Sequence, residues 1–250
     1  MDPSLDPLAL IAGGLCVLFA AVMRGYTGFG FAIAGVPLLS LFFAPAAIVP
    51  LAMILQVLAG IDGTVRDRDK VVWPTLGLLT IAAVIFLWVG VAVLSVLEVR
   101  YARIAVSLGV TGTVLLLASG FRLSAPPKAP LVALTGALSG FLGGLLAMPG
   151  PPAIALMMAG PHSNAAIRAT LIAFFTVTGA IGAVFALQKG MIETQWLGFY
   201  AAMVPIMLGG ARLGRWLFHT ALGEHYRKIG LILLIAVAIT SWIKTLGDWI

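Results

Sequence analysis

Acidic groups are scarce in this chain, and they are absent from its apolar stretches. None of the nine Asp and Glu residues lies inside a long hydrophobic run, and Asp62, at the end of one, comes nearest. There are no paired carboxylates for acid–base work within such a run, no HExxH and no GxSxG. "GFGFAI" fails the dinucleotide fingerprint, because Ile33 stands where the third glycine belongs and no strand precedes it. The single cysteine, Cys16, excludes an internal disulfide, and its apolar surroundings offer no partners for a metal. It reads as a small core side chain. Charge is low overall, at 10% of residues. The net charge of +6 is spread over short basic groups rather than a long run, which sets nucleic acid aside.

What is present instead is apolar length. Hydrophobic residues make up 61% of the 250, with a mean hydropathy of +1.11. Soluble domains carry about 25% charge and about 45–50% apolar residues. The composition is that of an all-α polytopic membrane protein. The N-terminus, "MDPSLDPLAL", has two aspartates and no basic n-region, so its first apolar run is expected to stay as a membrane helix. Apolar segments fall near 8–24, 31–44, 46–61, 71–97, 102–120, 130–147, 151–160, 164–187, 194–217 and 226–246. A spanning helix needs about 20 residues. Segments 31–44 and 151–160 are too short, and each follows a Gly/Pro-rich break, "GYTGFG" or "MPGPP".

The two breaks occupy matching places in two halves. Gly25 set against Gly144 aligns "RGYTGFGFAI" with "GGLLAMPGPP", and Lys70 then falls against Lys189. Residues 88–97 match 208–217 one residue further out of register, and "YARIAV" (101–106) matches "YRKIGL" at an offset of 125. The expected organisation is a first membrane repeat over 1–121, a Pro-rich linker over 122–130 and a second repeat over 131–250, together one transmembrane domain. Five segments per half is an odd number, so the second repeat is expected to be inverted. With loop 62–70 inside, ten basic residues fall inside and four outside, with Arg24 unassigned. This follows the positive-inside rule and puts both termini outside. Whether the short segments are full spans or re-entrant hairpins leaves that parity unchanged.

In hydrocarbon an unpaired backbone group costs several kcal/mol. Broken backbone at membrane depth is tolerated only where protein or a water-filled cavity covers it. A short helix starting from a break points its N–H groups and positive dipole end into that cavity. Two such breaks in inverted halves are the arrangement of a secondary transporter, and the electrostatics favour an anion. The candidate binding residues are Arg24, Gly25, Thr27, Gly28, Phe29 and Gly30 at the first break and Met148, Pro149, Gly150 and Pro151 at the second. Gln56 and Thr176 join them from the middle of matching segments. Arg24 either snorkels to an interface or enters the cavity. Arg168, after "GPHSNAA", reads as an interfacial anchor. Gly136, Gly140, Gly144, Gly210 and Gly214 read as packing faces. A proton-coupled carrier usually keeps an intramembrane carboxylate or histidine. Asp62 is therefore the coupling candidate, unless coupling is indirect or transport passive.

At "GYTGFGFAIAGVPLL" (25–39) and "SGFLGGLLAMPGPPAIAL" (139–156) the chain resembles the TauE/SafE family of sulfite and organosulfonate exporters, and "IRATLIAFF" (167–175) extends the resemblance. The resemblance covers nearly the whole chain. It implies transport of a small anion, sulfite, a sulfonate such as sulfoacetate, or a carboxylate, across a bacterial inner membrane. It implies no cofactor. Family members often have glutamine where this chain has Arg24, and a run of glycines where it has "MPGPP". An anion channel is the alternative. A membrane enzyme or assembly factor holding a lipid or quinone would need a catalytic group that the carboxylate-free runs lack. A homo-oligomer stays open.

Overall fold

The computed structural model describes residues 6–27, 30–119, 127–219 and 226–247. Gly28, Phe29 and residues 120–126, most of the expected linker, lie outside the described residues. Ten α-helices follow one another, and there is no strand among the described residues. They are α1 (Pro7–Thr27), α2 (Phe31–Ser40), α3 (Pro45–Arg66), α4 (Trp73–Val96), α5 (Val99–Ser119), α6 (Ala129–Leu146), α7 (Gly150–Ala159), α8 (Asn164–Gln188), α9 (Leu197–His219) and α10 (Tyr226–Gly247). Among the described residues seven segments, one each from α1, α3, α4, α5, α6, α8 and α9, are long and apolar enough to cross a membrane. This is a multi-pass membrane protein. The helices α2 and α7 have 10 residues each. At 1.5 Å per residue they reach about 15 Å, half of a hydrocarbon core of about 30 Å.

Proline starts several of these helices. It stands in the first turn of α3, α4, α6 and α7, where its missing N–H breaks no intrahelical bond. The short α2 ends under Arg103 of α5, whose Nε donates to the Ser40 carbonyl at 3.2 Å. This satisfies one of the acceptors that a helix end leaves open.

The helices pair across the two halves. The first helix of each half lies along the fourth of the other: α1 on α9, and α6 on α4. Both pairs run parallel. Gly13 sits against Phe199 and Gly25 against Ala211, while Gly136 sits against Leu79 and Gly144 against Leu87. The third helices, α3 and α8, cross antiparallel, with Gly63 against Ile172 and Gly179 against Met53. The fifth helices pair through hydroxyls, Ser107 Oγ lying 2.7 Å from Ser241 Oγ.

Along α4 and α6 the backbones touch. A β-carbon at Gly140 would fall 2.1 Å from the Ala83 carbonyl oxygen, and one at Gly144 2.1 Å from that of Leu87. Small residues every fourth position are what allow this approach. The register follows from the same contacts. Gly144 meets Leu87 O and Val91 N, and Gly25 meets Ala211 O and Arg215 N. Residues 87 and 91 take the same position toward Gly144 as 211 and 215 take toward Gly25, one helical turn away from the expected match of 88–97 with 208–217. A packing face that repeats every four residues makes two such alignments look alike in a string of letters.

Candidate functional site

Among the described residues, each break carries one in the left-handed region. Gly30, before α2, has φ 102°. Ala147, closing α6, has φ 54° and is the one non-glycine residue with positive φ among those described. The Met148 N–H reaches back to the Leu142 carbonyl at 3.2 Å, as in a Schellman turn. Gln56, from the middle of α3, donates Nε2–H to the Ala147 carbonyl at 3.1 Å. A side chain of one half thus pairs an oxygen that the break in the other half leaves open. Met148, Pro149, Gly150 and Pro151 are all buried. Pro151 and Pro152 have no N–H, so α7 offers fewer free donors at its start than α2.

The breaks approach each other. A β-carbon on Gly150 would lie 3.6 Å from Ile33 Cδ1 and 3.5 Å from the Phe175 ring. The first turns of the two short helices are therefore neighbours, separated by an apolar contact.

Arg24 settles its own ambiguity by turning inward. It is 6% exposed, although it lies in the last turn of α1. Its Nη2 comes within 3.3 Å of where a β-carbon on Gly60 would stand, and the same point is 2.0 Å from Thr176 Oγ1. Thr176 is near the middle of α8, where it donates to the Ile172 carbonyl at 2.8 Å and lies 3.3 Å from the Thr64 hydroxyl. The guanidinium has therefore passed from a helix end to mid-helix depth. It makes no hydrogen bond or ion pair to a described residue. An isolated buried charge is costly, and a site that keeps one supplies a partner or a function.

The space beside Arg24 is a cavity of about 60 Å³ between α1, α3, α8 and α9. Its charged lining is Arg24, Arg168, Arg215, Arg66, Asp62 and Asp67, with Gly25 and Ala211 on the wall. Asp62, exposed at the C-terminal end of α3, is ion-paired to Arg66. Arg168 is exposed and Arg215 half-buried, so these two form the mouth and Arg24 the floor. Arg168 thus lines the cavity in addition to standing near a helix end as an anchor would, and Arg215 joins it although its spacing singles it out for no role. A signal for both exists in the chain, because α1, α8 and α9 each carry an arginine toward an end that the loop alternation puts on one side. Gly25 has a second duty, since a β-carbon there would fall 2.3 Å from the Ala211 carbonyl. Thr27 ends α1, and its side chain lies outside what is described.

Around the second break there is a counterpart with no room for a water. It is lined by Met53, Gln56, Leu87, Gly143, Ala147, Pro149, Thr178 and Gly179, and it carries no charged group. At the end of α3 away from Arg24, Phe43, Trp196 and Phe199 pack edge to face, with ring centroids 5.2–5.7 Å apart. Tyr200 donates its hydroxyl to the Ala47 carbonyl beside them. No group of three or more His, Cys, Asp or Glu among the described residues gathers as metal ligands would.

Comparison with known proteins agrees with the resemblance in the motifs. The family described as "Sulfite exporter TauE/SafE" matches residues 13–241. The probable sulfite/organosulfonate exporter TauE of Cupriavidus necator is 26% identical over 116 residues. That alignment covers 46% of this chain and 45% of the relative, so the chain matches less than half of that protein's length. No solved structure matches. An apolar composition, two helix breaks and a family match over most of the chain lead to one assignment: this protein belongs to the sulfite exporter TauE/SafE family.

Proposed function

We propose that the chain is a secondary transporter of a small sulfur-containing anion, sulfite or a sulfonate, bound beside Arg24 in the cavity between α1, α3, α8 and α9. The observation that carries this reading is Arg24 itself: a guanidinium at mid-helix depth, buried, without a counter-ion among the described residues, facing a cavity with three further arginines, of which Arg66 is ion-paired. An oxyanion supplies the missing partner, and the planar guanidinium offers it paired donors.

Two inverted repeats give the carrier its two states. Four positions of the cavity lining have counterparts in the lining of the closed gap. Met53 pairs with Ile172, Ala59 with Thr178 and Arg24 with Gly143, each 119 residues apart, and Leu87 with Ala211. The third helices run antiparallel, as inversion requires. The cavity is then the vestibule on the inner side, and the gap its outer counterpart in the closed state, sealed further out by Phe43, Trp196 and Phe199. Both termini lie outside. Alternating access opens one as the other closes. A closed outer side speaks for a carrier over a channel. Asp62, one of two carboxylates lining the cavity, is our candidate for coupling.

A thermal-shift screen of the purified chain against sulfite, thiosulfate, sulfonates and short carboxylates tests the reading. A bound ligand raises the melting temperature by mass action. Sulfite or a sulfonate is expected to shift the wild type, and Arg24→Gln to abolish the shift without unfolding the protein. A shift by carboxylates alone would move the substrate class. An equal shift in Arg24→Gln would remove Arg24 from the site.

A further inference from the structure

The mouth of the cavity holds more positive charge than one small monoanion neutralises. Two carboxylates line it, and both are engaged. Asp62 is ion-paired to Arg66, and Asp67 takes Lys70 at 2.6 Å. Arg24 on α1, Arg168 on α8 and Arg215 on α9 make no ion pair to a described residue. Three guanidiniums from three helices thus share a cavity of about 60 Å³. Like charges gathered in so small a space destabilise the empty site and favour whatever neutralises them. Arrangement by helix packing, not by a local motif, brings them together: Ala211 and the Arg215 backbone seat directly on Gly25, next to Arg24.

We propose that this cavity selects a small dianion over a monoanion of the same shape, with Arg24 as the deep anchor and Arg168 and Arg215 as the residues that set the valence. The inference rests on the anion reading above and adds the charge of the ligand to it. A monoanion satisfies Arg24 and leaves Arg215 uncompensated and Arg168 with only Asp67, which Lys70 already engages. A dianion meets the floor and the mouth together. The volume holds a few waters, which is the scale of an oxyanion headgroup and not of an extended chain. The counterpart gap has Gly143 where Arg24 would be and no arginine at all, so valence is read on one side of the protein only.

Methanesulfonate and methylphosphonate test this as a pair, because they share a shape and differ in charge once the phosphonate has lost its second proton. Binding to the purified full chain is measured at constant ionic strength, below and above that ionisation. Dianionic methylphosphonate is expected to bind about tenfold more tightly than methanesulfonate or its own monoanion. In an Arg168→Gln/Arg215→Gln double variant the preference should fall to about twofold while methanesulfonate binding persists. Both positions are solvent-reached, so the variant is expected to fold, and Arg168→Lys should retain most of the preference. Equal affinity for the two probes in the wild type overturns the valence proposal and leaves the anion reading standing. Silence toward both probes and toward sulfite overturns the anion reading as well. A preference unchanged in the double variant removes Arg168 and Arg215 from the role.

Discussion

Gly60 of α3 and Thr176 of α8 are packed so closely that a β-carbon on the glycine would fall 2.0 Å from the threonine hydroxyl. The crossing of the two central helices therefore depends on a residue without a side chain. The same β-carbon would also press on Arg24 Nη2 at 3.3 Å. Gly60→Ala is expected to destabilise the protein by about 1–3 kcal/mol, as overpacking does, and to weaken anion binding by displacing Arg24. Adding Thr176→Ala should restore most of the stability, since it removes the atom that clashes. Melting temperatures of the single and double variants in detergent check both statements.

The Gln56–Ala147 hydrogen bond, 3.1 Å long, ties the middle of α3 to the break before α7. Gln56→Leu leaves that carbonyl buried and unpaired, at a cost of about 1–3 kcal/mol. Ala147→Gly should be tolerated or mildly stabilising, because φ 54° is a conformation that alanine enters only with strain. Opposite signs for the two variants in a melting experiment bear out the geometry. Destabilisation by both would mean that the turn at 147 does not hold this shape.

Glycines separate into two kinds by what surrounds them. Gly140→Val on α6 drives a side chain into the Ala83 carbonyl and should part α4 from α6, abolishing a folded species on size-exclusion chromatography. At Gly77 of α4 a β-carbon would meet nothing within 4 Å, so Gly77→Ala should be neutral or gain up to about 1 kcal/mol of helix propensity.

Lys70 lies in the short 3₁₀ turn after α3, outside the spans, and its ion pair with Asp67 raises its pKa above the ordinary lysine value. Its small contribution to stability is complete below that ordinary value and fades as pH rises through the raised one. Near neutral pH the pair is intact. Lys70→Gln releases Asp67, which lines the same cavity as Arg168 and then competes with the ligand for it. A two- to threefold loss of anion affinity, about the size of an exposed pair, is expected in a titration at neutral pH. Unchanged affinity would mean that Asp67 does not face the bound anion.

Much of this was legible in the chain because membrane helices advertise themselves by apolar length. The ten segments correspond to the ten helices; α2 follows "GYTGFG" as expected, although α1 runs into that stretch as far as Thr27, and α7 starts at Gly150 inside "MPGPP" because proline is tolerated in a first helical turn. The stripe Gly136, Gly140, Gly144 meets α4 as a small-residue face should. Arg215 escaped notice because an arginine near a helix end reads as an interfacial anchor whichever way it points. Gly60 escaped because one glycine in an apolar run carries no periodic signal. The partner of Gln56 was equally hidden, since Ala147 is 91 residues away and contributes only a backbone oxygen.

Composition and spacing alone decide that this chain enters a membrane as helices, and that its backbone is interrupted next to two short ones. Hydrocarbon forces both outcomes, because every backbone polar group must find a partner within the protein. The direction in which Arg24 points was decided only by packing. Close approach of α1 to α9 at Gly25 and of α3 to α8 at Gly60 leaves its side chain an inward path. The same packing brings in arginines from helices that are distant in the chain.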